Sequence, residues 1–126
     1  MIEVRVRKNE IKVSGHAMYA PHGQDIVCAG VSSLVRTLIR SIEDLTRDEI
    51  EYKVSPGWVD IQYGNLSEKA RTLVDSFFVG ICMIADEYPD CVRIVYLHGN
   101  RRACSSSPAQ PYHCRQPSSL LPSPYP

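Results

Sequence analysis

The sequence lacks the features that mark membrane, exported and nucleic-acid-binding proteins. Among its 126 residues no apolar run approaches the roughly 20 residues that cross a bilayer. The first residues show no basic stretch followed by an apolar one, so no secretory signal is expected. Acidic and basic side chains number 14 each, which provides no broad basic surface for nucleic acid. We therefore expect a cytoplasmic protein without a membrane or a direct nucleic-acid partner.

The five cysteines lack paired C-x-x-C spacing, which makes a structural zinc site improbable. In a chain that is not exported they should stay reduced. We expect neither a metal nor another cofactor. Cys82 and Cys91 fall inside predicted regular elements and are interpreted as small core residues. Cys28 needs a separate explanation.

Hydrophobic periodicity predicts an α+β domain in the order β-β-α-β-β-α-β, with two long helices on one face of a mixed or antiparallel sheet. Residues 2–7 alternate between apolar and polar, and the alternation resumes at Ile11, which predicts a hairpin. A stripe of apolar residues at helical spacing predicts a helix over 26–46, with Asp25 as its N-cap. The members of this stripe are Val27, Val31, Leu34, Val35, Leu38, Ile42 and Leu45.

The second half repeats this pattern. Residues 50–63 predict a hairpin around the turn Ser55-Pro56-Gly57. A second helix follows, capped by Asn65 or Ser67 and ended by Pro89. The last strand, residues 91–97, is apolar on both faces, which favours a central, covered position in the sheet.

The composition changes after residue 98. Six of the nine prolines and a run of three serines lie in 99–126, where periodic apolar residues are almost absent. Such a segment cannot bury enough surface to offset the entropy of ordering it. We expect one domain over 1–98 and a disordered, basic, Pro/Ser-rich tail over 99–126.

Reactive side chains concentrate between the first hairpin and the first helix. His16 ends a strand, and Cys28 lies in the first turn of the helix. Free N–H groups and the positive helix end favour a thiolate there, and the N–H of Cys28 is a candidate oxyanion donor. Ala29 and Gly30 leave room for a substrate backbone. The imidazole could accept the thiol proton and return it to a leaving amine.

Other interpretations fit the same residues. A cysteine in an amphipathic helix is commonly a core residue, and Asp25 could serve only as a cap. His22 is an alternative base. A metal site formed by Cys28, His16 and His22 would lack a fourth ligand. A thioesterase would use the same pair, and a non-enzymatic, dimeric, ribosome-associated binding module would use neither.

The segment Gly15-His16-Ala17, followed by Gly23 and by residues 25–32, resembles the signature of the ribosomal-processing cysteine protease family (Prp). The step of twelve residues from His16 to Cys28 matches that signature. The resemblance extends over roughly residues 1–97.

The resemblance implies a fold of this element order and a cysteine endopeptidase. It carries over His16 and Cys28 as the catalytic dyad and Asp25 as a capping or orienting residue. The flanking Gly15, Gly23, Ala29 and Ser32 match as supporting positions. It also implies a cytoplasmic homodimer without a metal. The implied substrate is the N-terminal extension of large-subunit ribosomal protein twenty-seven, and the two flanking glycines would allow the loop to open for this peptide.

Overall fold

In the part of the chain that the structure describes, seven regular elements follow one another in the predicted order. A computed structural model describes residues 1–21 and 24–97, and the expected tail at 99–126 lies outside this range. The elements are β1 (Ile2–Arg7), β2 (Glu10–Ser14), α1 (Ile26–Leu45), β3 (Ile50–Ser55), β4 (Trp58–Tyr63), α2 (Glu68–Glu87) and β5 (Val92–Tyr96). The α+β fold class is confirmed, with both helices packed on one face of a five-stranded mixed sheet.

The strands are arranged in the order β3-β4-β2-β1-β5. All neighbours are antiparallel except β1 and β5, which are parallel. The buried face collects the apolar positions of the alternating strands, such as Val4, Ile11 and Ile61, each fully buried. The polar positions between them form the open face, where Glu3 bonds to Arg5 and Arg93.

The central position predicted for the last strand is wrong. β5 lies at an edge of the described sheet, next to β1. Val92 is buried, but Ile94, Val95 and Tyr96 are only half-buried. Much of its apolar character is explained by helix packing on one face, because α2 contacts β5.

Side-chain caps begin both helices. Asp25 accepts the N–H of Cys28 at the start of α1, as predicted, and Ser67 rather than Asn65 caps α2 by accepting the N–H of Ala70. The predicted stripe of α1 is buried except at its margins. Leu34 is half-buried, and Leu45, the last residue of the helix, is 58% exposed because the sheet no longer covers it. No helix within residues 1–21 and 24–97 has the length and apolar character of a membrane span.

The helices approach each other closely at two glycines. A Cβ added to Gly80 would lie 2.8 Å from Cδ2 of Leu34, and one added to Gly30 would lie 3.4 Å from Cδ1 of Ile84. The pairing of an early residue of one helix with a late residue of the other shows that they run antiparallel. This arrangement brings the start of α1 next to the end of α2.

Candidate active site

The two residues proposed for chemistry, His16 and Cys28, lie where β2 leaves the sheet and where α1 begins. His16 follows the last residue of β2 by two positions, and Cys28 is the third residue of α1. The N–H of Ala17 donates a hydrogen bond to Sγ of Cys28 at 3.2 Å. Since Ala17 is bonded to His16, this contact brings the backbone of His16 beside the sulfur.

Asp25 connects the helix to the loop before it. Its Oδ1 accepts the N–H of Cys28 at 2.9 Å, and its Oδ2 accepts the N–H of Tyr19 at 3.0 Å. These hydrogen bonds, that from Cys28 foremost, lower the pKa of the Asp25 carboxyl. One carboxylate therefore caps α1 and holds the loop in place, and among the described residues its hydrogen bonds go to backbone N–H groups and not to His16.

The surroundings of Cys28 raise the pKa of its thiol. Burial raises its pKa, and the Asp25 carboxylate raises it further, although the N–H of Ala17 acts in the opposite direction. The direction of this pKa shift is opposite to the one expected from the position of Cys28 at the helix start. The reason is that a carboxylate occupies the positive end of the helix and offsets its effect on the sulfur.

The same capping bond corrects a second expectation. The N–H of Cys28 donates a hydrogen bond to Asp25 and is not free to donate one to an oxyanion. The N–H of Ala29 donates to the carbonyl oxygen of Asp25 at 3.1 Å. Among the described residues, the N–H of Ala17 is the donor that points at the sulfur itself.

The His16 ring is exposed and lies against the β3–β4 turn. A Cβ added to Gly57 would come within 2.8 Å of Nε2 of His16. Gly57 has φ 73°, and its carbonyl oxygen accepts the N–H of Gly15 at 3.0 Å. Within residues 1–21 and 24–97 no hydrogen bond joins the ring to Cys28. Sequence reasoning identified this turn but not its contact with His16, because the two are 41 positions apart.

The first part of the loop between His16 and Cys28 is held by its backbone conformation and by contacts with other elements. Gly15 has φ 95°, and a Cβ there would overlap the carbonyl oxygen of Met1, so glycine is required. Met18 takes φ 56° and is 81% exposed. The Tyr19 ring meets the edge of Tyr88, at the end of α2, with centroids 5.3 Å apart.

The remaining predicted positions divide into three groups. Ala29 and Ser32 are exposed on α1. Gly30 is half-buried against α2, so it serves helix packing rather than an open approach to Cys28. His22 and Gly23 lie outside the described residues. Cys82 is buried, as predicted, whereas Cys28 and Cys91 are only partly so.

A cleft of about 1040 Å³, lined mostly by polar and charged residues, lies at the other end of α1. Its lining includes Arg47, Glu49 and Gly64 from the connections that follow α1 and β4, and it contains neither His16 nor Cys28. Its walls carry charges of both signs. This cleft is separate from the candidate active site.

Comparisons with known proteins agree with this fold. The family model described as cysteine protease Prp matches residues 1–93. The chain is 27% identical over 107 residues to the ribosomal processing cysteine protease Prp of Bacillus subtilis, covering 75% of this chain and 96% of that protein. It is 29% identical over 90 residues to the protein of the same name from Staphylococcus aureus, covering 69% and 85%.

Solved structures give the same picture of the fold. A crystal structure of the essential ribosomal processing protease Prp from S. aureus, in complex with a covalently linked product peptide, superposes with a TM-score of 0.70 at 23% identity. The match covers 76% of this chain and 97% of that one. A second structure of the S. aureus protein, in complex with a substrate peptide, gives a TM-score of 0.66 at 22% identity. At such identities the likeness establishes the architecture.

Proposed function

The chain belongs to the cysteine protease Prp family, and from this premise we propose that it cleaves peptide bonds with Cys28 as the nucleophile and His16 as the general base. The family assignment makes the chain a cysteine protease. The assignment of roles to His16 and Cys28 rests on the geometry of the loop and on the match of both residues to the signature.

The observation that carries this proposal is the hydrogen bond from the N–H of Ala17 to Sγ of Cys28. It holds Ala17, the residue after His16, against the sulfur, although Ala17 and Cys28 are 11 positions apart in the sequence. The proposed active arrangement requires the His16 ring to rotate about its Cα–Cβ bond, away from Gly57 and toward the thiol. The raised pKa of the thiol supports a need for this base, because a protonated sulfur is a poor nucleophile.

The reaction proceeds through an acyl-enzyme. His16 takes the thiol proton as the sulfur attacks the carbonyl carbon of the scissile bond. When the tetrahedral intermediate collapses, the imidazolium gives that proton to the departing amine, and a thioester to Cys28 remains. A water molecule, deprotonated by the same imidazole, hydrolyses the thioester and restores the thiol. The N–H of Ala17, released from the sulfur, can donate to the oxyanion.

The substrate follows from the family resemblance. The relatives are named ribosomal processing proteases, and the S. aureus protein has been crystallised with substrate and product peptides. We propose that the protease domain, residues 1–98, removes the N-terminal extension of large-subunit ribosomal protein twenty-seven in the cytoplasm, acting as a homodimer. Asp25, Gly15, Gly23, Ala29 and Ser32 support the site, and the segment 99–126 takes no part in the chemistry.

The first test compares wild-type protein with Cys28→Ala and His16→Ala on a peptide copied from that extension. Loss of the nucleophile should lower kcat/KM by at least about a thousandfold. Loss of the base should lower it by about a hundredfold to ten-thousandfold. Cleavage is followed by mass spectrometry of the products, which also identifies the bond that is cut.

Matched controls separate chemistry from folding. Cys91→Ala removes another partly buried thiol and should leave turnover near the wild-type rate. Circular dichroism should show the same melting profile for His16→Ala and wild type, because the ring is exposed. Normal turnover of Cys28→Ala would rule out the nucleophile. Turnover of a thioester substrate alone, without peptide cleavage, would indicate a thioesterase.

A further inference from the structure

The strand β3 offers an unpaired edge. It pairs with β4 along one side, and within the described residues no strand pairs with its other side. Five of its six residues are exposed, from Glu51 to Ser55. An exposed strand of this kind presents a row of free N–H and C=O groups that another strand can satisfy.

The helix-side face of β3 is apolar but uncovered. Ile50, Tyr52 and Val54 lie opposite Tyr63, Ile61 and Val59 of β4, the strand positions that pack against the core. Whereas Ile61 is fully buried, Tyr52 is 44% exposed and Val54 is 57% exposed. The helix layer therefore stops short of β3, and an apolar strip continues past it to the edge of the sheet.

The sequence of β3 is complementary to itself in one antiparallel register. With Tyr52 placed opposite Tyr52 of a second copy, Glu51 lies opposite Lys53 of that copy, and Lys53 lies opposite its Glu51. On the helix side, Ile50 then faces Val54 in both directions. Opposite charges and apolar pairs facing each other across strands both stabilise a sheet. No charge of β3 meets a like charge in this register.

We propose that two copies of this chain associate through antiparallel pairing of their β3 edges, with Tyr52 on the two-fold axis. This inference rests on the homodimer proposed above and specifies its interface. The arrangement is isologous, so it closes at two copies, and the two five-stranded sheets become one of ten strands. The apolar strips of Ile50, Tyr52 and Val54 join across the axis, where the facing side chains of the two copies shield part of each other's surface from water.

The experiment reverses the charge of Glu51 in one variant and the charge of Lys53 in another. Glu51→Lys places lysine opposite Lys53 of the second copy on both sides of the axis. Lys53→Glu does the same with glutamates, and it is combined with Asp60→Asn because Lys53 faces Asp60 within its own protomer. Sedimentation velocity on the full chain measures the dimer dissociation constant of each protein and of their equimolar mixture.

We expect each reversed protein alone to have a dimer dissociation constant at least about tenfold higher than that of wild type. In the mixture, the lysine introduced by Glu51→Lys in one chain meets the glutamate introduced by Lys53→Glu in the other, so heterodimers should form again. The Asp60→Asn variant alone should dimerise like wild type. So should Glu87→Lys, which reverses the charge of an exposed residue of α2. Restoration in the mixture is the outcome that a merely unfolded variant cannot produce.

Three results would overturn the interface. If both reversed proteins dimerise like wild type, the homodimer stands but forms elsewhere. If wild type is monomeric at every concentration, the homodimer proposal fails with it. If wild type is monomeric and hydrogen exchange still shows protected outward amides in β3, another part of the same chain covers this edge.

Discussion

The surroundings of Cys28 raise the pKa of its thiol, and the chemical reactivity of the thiol should reveal this shift. Because burial raises its pKa, the alkylation rate should rise with pH with a midpoint above the ordinary thiol value of about 8.5. The Asp25 carboxylate contributes to that shift. Asp25→Asn retains an oxygen to cap the helix but removes the charge, so its midpoint should lie at lower pH than that of wild type.

Iodoacetamide labelling quantified on the peptide that contains Cys28 measures this midpoint without interference from the other thiols. Melting curves recorded beside it should show that Asp25→Asn stays folded across the pH range. A wild-type midpoint well below about 8.5 would mean that the sulfur is a thiolate at rest. Identical midpoints for the two proteins would remove the electrostatic role of Asp25.

Gly57 sets the position of the base. Gly57→Ala places a methyl group against the His16 ring and forces alanine into φ 73°, a conformation that costs about 1–2 kcal/mol. Gly57→Asn adds the same Cβ, but asparagine tolerates this conformation better. We expect both variants to lower kcat by about tenfold to a hundredfold with little change in KM. The reason is that a distorted turn shifts the Gly57 carbonyl oxygen, which accepts the N–H of Gly15 and so holds the backbone that carries His16.

Stability measurements on Gly57→Ala and Gly57→Asn separate the effect of backbone strain at position 57 from the effect of moving His16. Chemical denaturation should show a lower free energy of unfolding for Gly57→Ala than for Gly57→Asn. Gly64→Ala is the matched control, since a Cβ there meets nothing within 4 Å, and it should retain wild-type turnover. A fully active Gly57→Asn would show that the turn does not position the imidazole.

At the scale of the elements, the close packing of α1 against α2 depends more on Gly80 than on Gly30. Alanine favours a helix over glycine by about 1 kcal/mol. At Gly30 the new methyl has room beside Ile84, so Gly30→Ala should raise the free energy of unfolding by about 0.5–1 kcal/mol. At Gly80 it collides with Leu34, so overpacking should outweigh the propensity and lower that free energy by about 1–3 kcal/mol.

Urea denaturation of the two variants, analysed with a common slope, measures the difference. Combining Gly80→Ala with Leu34→Ala should recover part of the loss, because the colliding side chain is removed. A stabilising Gly80→Ala would mean that Leu34 moves aside without cost and that the helices are not held at this distance by the glycine.

For the whole molecule, element type and order followed from periodicity and caps, which are local properties of the sequence. Asp25 was predictable as a cap because its carboxylate bonds to a residue three positions on. The contact between Gly57 and His16 was not, since it depends on how two hairpins lie side by side. The edge position of β5 was missed for a similar reason: apolar residues on both faces do not reveal how many strands flank them.

The parallel pairing of β1 with β5 has a consequence for how the chain acquires its structure. Ile2 donates its N–H to the carbonyl oxygen of Cys91, so the first strand to be synthesised completes its pairing with the last. During vectorial synthesis β1 has only β2 beside it until residues 92–96 emerge. Contacts of such long sequence separation slow folding. Nascent chains that end before residue 92 should therefore stay sensitive to proteases, whereas longer ones become resistant in one cooperative step.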